Sequence, residues 1–143
     1  MSNGEGSSKE PPKERIDRLI REGLLSQEMV DGAVRFWQER LTRKISLPSG
    51  DRVIVTLDDL YHIIVAPRIA RKPWRIERIL INAVEIRTSD LGRRKVASRW
   101  DEDGRPLVGY FVLHTDNSVR TMHVADEKRI RKLMKDGDVL WKQ

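Results

Sequence analysis

Between residues 13 and 41 the apolar positions recur at helical spacing. Ile16, Leu19, Ile20 and Leu24 form one stripe, and Gly23 is placed to stop that helix. Ser26 is placed to cap a second helix running to about Leu41. Its apolar set is Met29, Val30, Ala33, Val34, Phe36, Trp37 and Leu41. Two helices joined by a short turn invite a helix-turn-helix reading. Gln27, Glu28 and Asp31 at the start of the second helix argue against it, because acidic side chains there repel phosphates. A packing hairpin is the better account.

The period then falls from 3.6 to 2. Arg43 to Leu47, the turn Pro48-Ser49-Gly50, and Arg52 to Thr56 read as a β-hairpin. Thr56-x-x-Asp59 has the form of a capping box and predicts a short helix to about Ala66, ended by Pro67. Pro73 stands where a first helical residue would, ahead of the apolar face Ile76, Ile79, Leu80 and Ala83. Strand-like runs follow at 84–88, 95–100, 107–115 and 119–125, with Asp116-Asn117-Ser118 as a turn. Asp126 is placed to cap a last helix containing Ile130, Leu133 and Met134. Gly137 ends it, and 139–141 return as a strand. Helices first, then a mostly antiparallel sheet, is an α+β order. The 107–125 hairpin is expected at the centre of the sheet. Residues 1–12 are rich in Gly, Ser, Pro and Glu and read as a disordered tail. The helical hairpin then covers 13–42 and the α+β core 43–143, in one compact domain.

Charge adds to this picture through its distribution. The 143-residue chain carries a net charge of +6. Residues 1–67 hold 10 basic and 11 acidic side chains, and residues 100–143 hold 8 of each. The excess therefore sits at 68–99, where Arg68, Arg71, Lys72, Arg75, Arg78, Arg87, Arg93, Arg94, Lys95 and Arg99 face only Glu77, Glu85 and Asp90. Clustered positive charge points to a polyanionic partner. The chain has no cysteine, which excludes disulfides, thiolate zinc sites and cysteine nucleophiles and fits a reducing compartment. No run approaches the roughly 18 apolar residues of a membrane span, and the first residues lack an apolar signal core. A cytoplasmic protein with no membrane contact is the expectation.

Candidate chemistry rests on few groups. His62 falls off the Leu57, Leu60, Ile64 face of its helix, beside the core. His114 and His123 lie on the two arms of the last hairpin, with Val119, Thr121 and His123 on one face. The histidines stand at no recognised metal-ligand spacing, so no metal and no cofactor is expected. An arginine fixed on a strand, as Arg99 is, can brace a phosphate with its planar fork. Trp74, among Arg71, Lys72 and Arg75, is placed to stack on a base, though tryptophans more often belong to a core. Metal-free RNA cleavage requires a base, an acid and cations around the phosphate. His62, Arg68, Arg99, Thr121 and His123 are the right chemical types.

The order of these elements over residues 54–125 resembles the phage-associated members of the barnase, EndoU, colicin and RelE-like nuclease group. The resemblance is carried by Tyr61-His62-Ile63-Ile64 through Arg68, by Ile76 to Leu80 leading to Ala83-Val84-Glu85-Ile86, by the arginine strand 94–99, and by Ser118-Val119-Arg120-Thr121. Two positions depart from the pattern: Ala83 replaces a common proline, and Met122-His123 stands where an aromatic is often found. The resemblance implies a RelE/barnase-like antiparallel sheet, a metal-independent ribonuclease of phage or toxin type, and His62, Arg68, Arg99 and Thr121 as its active-site set. Arg71, Lys72, Trp74, Arg75, Arg93, Arg94 and Lys95 would then hold nucleic acid, RNA in preference to DNA. Two other expectations stand beside it. One is a nucleic-acid-binding domain that does not cut; the other is a phage- or toxin-associated interaction module that docks an acidic protein or antidote.

Overall fold

The computed structural model describes residues 10–143, so the first nine residues of the expected tail lie outside the described residues. Residues 10–12 do not continue that tail. Glu10 pairs with Arg18 at 3.0 Å, and Pro12 occupies the first helical turn, where its missing N–H costs nothing. Helix α1 spans Pro12–Arg21 and α2 spans Gln27–Arg40. Gly23 adopts φ +77° just past α1, and Leu24 N–H donates back to the Leu19 carbonyl at 2.9 Å, a left-handed helix stop. Ser26 Oγ accepts from Met29 N–H at 3.1 Å, as its capping position requires.

Strands β1 (Ile45–Ser46) and β2 (Arg52–Val53) form a hairpin shorter than expected. The capping box Thr56/Asp59 forms in both directions and opens helix α3 (Leu57–Ile63). α3 stops before Ala66 because the residue ahead of a proline is pushed out of the helical region. Pro67 does more than end a helix: it starts a short new one, α4 (Pro67–Ala70). Helix α5 (Trp74–Ile81) follows Pro73. Strands β3 (Ala83–Thr88), β4 (Arg94–Glu102), β5 (Arg105–Leu113) and β6 (Val119–Ala125) come next, then helix α6 (Glu127–Leu133) and strand β7 (Val139–Lys142). This is an α+β architecture with an antiparallel five-stranded sheet in the order β6-β5-β4-β3-β7.

The expected centre of the sheet is corrected. β6 is an edge strand, and the arginine-bearing β4 is central. β4 is paired on both edges: β3, itself extended by β7, takes one, and β5 takes the other through the turn Asp103-Gly104. Both residues have positive φ, 53° and 78°, the two-residue geometry that matches strand twist. It lets β4 and β5 pair without interruption from Arg94↔Leu113 to Glu102↔Arg105. A second correction concerns Val119. A bulge between β5 and β6 skips Arg120, and the shift turns Val119 into the core rather than onto the face of Thr121 and His123.

One hydrophobic core runs from Ile16, Val30 and Ala33 through Leu60, Ile63, Ile76 and Ile79 to Val96, Phe111, Leu113 and Met122. Helices α1 to α5 therefore cover one face of the sheet. On the opposite face Ala97, Val108, Tyr110 and Ala125 pack against Ile130 and Met134 of α6. Gly109 allows β5 to meet α5 closely. A Cβ there would stand 2.9 Å from Ile79 Cγ1 and 3.1 Å from Trp100 Cζ3. Gly109→Ala should cost about 1–3 kcal/mol by overpacking, read as a lower urea midpoint with an unchanged slope.

Candidate nucleic-acid interface

Strand register lays out the α6 side of the sheet in rows. Arg99, Val108 and Ala125 form one row. Ala97, Tyr110 and His123 form the next, with Glu85 beyond Ala97. Lys95, Val112 and Thr121 form the third, with Arg87 beyond Lys95. α6 rests on the apolar part of the first two rows. The Tyr110 and His123 rings stack with centroids 6.4 Å apart and planes 13° from parallel.

The sheet divides the residues expected to act together. Arg99, Thr121 and His123 belong to the α6 face. His62 belongs to α3, whose Leu60 and Ile63 sit in the core on the opposite face. Its ring lies 3.6 Å from Asp58 one turn back on the same helix. Arg68 stands at the rim: its Nη1 donates to the Val124 carbonyl at 3.4 Å, and it lines the same cleft as Arg99. Thr121 is two strands and four residues from Arg99, roughly 16 Å by strand geometry. No single phosphate reaches His62, Arg99 and Thr121. Arg68 and Arg99 of the expected set share a hollow.

Half of the central basic stretch is neutralised inside the fold. Arg75 is buried and holds Glu102 with two hydrogen bonds, at 3.1 and 2.7 Å, with Lys72 also 3.5 Å from that carboxylate. Arg94 ties β4 to the β1–β2 turn through Asp51 at 3.0 Å, and to Asn117. Arg87 pairs with Glu85, and Arg99 with Glu127 through Nη2 at 3.0 Å. Arg75, which is buried, and the part-buried Arg94 thus act as internal braces, with their guanidinium groups engaged by carboxylates. Arg71 and Trp74 are exposed on the helical side, away from α6.

What replaces them is α6. Lys128, Arg129, Arg131, Lys132 and the following Lys135 are exposed, and none joins an ion pair among the described residues. Charge counted over long blocks hid this run, because eight acidic residues elsewhere in 100–143 cancel it. Its signal was five cations in eight residues with no intervening acid. The tertiary fold lays it over the face that also presents the half-buried Arg93 and, beneath the surface, Lys95. Lys95 is 8% exposed with no carboxylate partner among the described residues. Arg93 donates to the Asp90 carbonyl at 3.3 Å and lies close enough to oppose the rise in the Tyr110 pKa that burial causes.

Burial, reinforced by Arg129, holds the His123 pKa below its ordinary value of 6.5. The ring is therefore neutral at pH 7 and adds no charge to the face. The linkage sign follows: the unfolded chain takes up the proton more readily, so stability is complete above pH ~6.5 and is lost as pH falls below it. Urea midpoints at about pH 7.5 and 5.5 should show this loss, and His123→Gln should reduce it.

Among the described residues no three His, Cys, Asp or Glu side chains cluster in a way that would hold a metal ion, and no helix is long and apolar enough to cross a membrane. Comparison with protein-family models, with curated proteins and with solved structures gives no match.

Proposed function

We propose that this chain binds nucleic acid through the α6-bearing face of the sheet and does so without a cleavage step. One observation carries the reading: five cations of α6 and its end, exposed and unpaired among the described residues, lie over a sheet face that adds Arg93, with Lys95 buried beneath. Such an array attracts phosphates and releases their condensed counterions. Cleavage is the less supported reading, since His62 stands on a helix packed against the other face of the sheet and Thr121 is roughly 16 Å from Arg99 by strand geometry. The test is fluorescence anisotropy with a labelled RNA across a salt series. With five phosphates neutralised, log K against log salt should have a slope of about −3.5 for a single strand, a loss of roughly a hundredfold between 50 and 200 mM. The RNA should stay intact on a denaturing gel. Binding that ignores salt would overturn the reading, and so would RNA shortened by the wild-type protein but left whole by His62→Ala.

A further inference from the structure

Two hollows on the α6 face meet at Arg99, which lines both. The first, about 570 Å³, has Arg68 on its far wall and Trp100 and Val108 in its apolar lining. The second, about 370 Å³, runs between α6 and strands β3 and β4, with Arg131 and Lys135 along its helix wall. Its floor includes Ala97 and Met134. Cations thus follow one another along a trough, from Arg68 through Arg99 to Arg131 and Lys135, with Ala97, Trp100, Val108 and Met134 between them and the carboxylates of Glu85, Asp101 and Asp126 also in its lining. Over the junction stands Glu127, ion-paired with Arg99.

We infer that this trough takes one unpaired nucleic-acid strand, and that Arg99 exchanges Glu127 for a backbone phosphate when it does. The inference rests on the nucleic-acid-binding reading above and adds which form of nucleic acid is taken and how. Both volumes fall in the roughly 300–1,000 Å³ range of hollows that enclose small ligands, the scale of a nucleotide and not of a duplex. A duplex offers phosphates outside and keeps its bases stacked within. An unpaired strand turns bases and sugars outward and covers apolar surface while its phosphates meet the cations. The exchange at Arg99 costs little. The pair is half exposed, 49% for Arg99 and 51% for Glu127, and exposed ion pairs are weak. A phosphate offers the guanidinium the same two-pronged acceptor geometry as the carboxylate it displaces. Arg75, by contrast, is itself buried and holds Glu102 with two hydrogen bonds, so it is not exchangeable.

The exchange predicts effects of opposite sign from two partners of one ion pair, which a purely structural pair would not produce. Affinities for a labelled oligouridylate and for an RNA duplex of equal length are to be measured by anisotropy. Glu127→Gln should tighten single-strand binding about fivefold by removing the competing carboxylate, and Arg99→Gln should weaken it about fivefold. Glu28→Gln, an equal charge change on α2, should shift it by less than about twofold. Arg131→Gln with Lys135→Gln keeps the Arg99–Glu127 pair intact and should weaken single-strand binding more than Arg21→Gln with Arg35→Gln. The single strand should bind more tightly than the duplex. If the duplex binds as well, or if Glu127→Gln does no more than Glu28→Gln, the trough and exchange are overturned while the binding reading stands. If neither polymer binds the unaltered chain, the underlying reading itself fails.

Discussion

Arg75→Met is expected to destabilise the protein by about 3–5 kcal/mol, the usual cost of removing one partner of a buried ion pair. Arg75 is the buried cation of α5, and its guanidinium also donates to the Arg68 carbonyl at 3.3 Å. The change would leave Glu102, whose side chain is 15% exposed, without its main partner. The hydrogen bonds from Arg75 hold the Glu102 carboxyl at about 2, down from 4.5. Lys72 remains 3.5 Å from the carboxylate and offsets part of the loss.

The pH signature of this pair has a definite sign. A carboxyl with a lowered folded pKa contributes stability that is present above its unfolded value and lost as pH falls through the folded one. Wild-type stability should therefore decline between pH 4.5 and about 2. Arg75→Met should be destabilised most at neutral pH, and the difference from wild type should narrow on acidification. Arg75→Met combined with Glu102→Gln should recover much of the loss at pH 7, because no buried charge is then stranded. Thermal and urea midpoints at several pH values measure all three. Equal destabilisation by the single and double variants would show that packing of the Arg75 stem, and not its charge, holds the end of β4 to α5.

Reversing three charges on α6, with Arg129, Arg131 and Lys132 each changed to Glu, is expected to abolish detectable RNA binding. Three lost phosphate contacts should flatten the salt slope by about 2, and the introduced carboxylates add repulsion, so affinity should fall at least a hundredfold. The fold should survive. All three side chains are exposed, and α6 is anchored by Ile130 and Met134 and capped by Asp126, which accepts from Arg129 N–H at 2.8 Å. A matched reversal of Lys13, Arg21 and Arg35 on α1 and α2 changes net charge equally and should lose far less. Equal loss from both variants would mean that net charge alone, and no particular face, attracts RNA.

The local elements of this protein were legible in its residues. Gly23, Ser26, Thr56 with Asp59, and Asp126 act within a few positions of themselves, through caps and turns that depend on no distant contact. Apolar periodicity likewise marked Ile16, Val30, Ile76, Ile79 and Ile130 as inward-facing, and it gave the α+β class. The tertiary structure decided three other things. It placed β4 at the centre of the sheet, because strand order depends on which edges meet and not on the alternation within a strand. It set His62 apart from Arg99, Thr121 and His123, because a helix cannot be assigned to one face of a sheet until the connections are folded. It also determined which cations are free. Arg75 and Arg94 find carboxylates 27 and 43 residues away, whereas Lys128 to Lys135 find none among the described residues. A charge count sees only the total, and the surface left to meet a polyanion is what remains after the fold has made its own ion pairs.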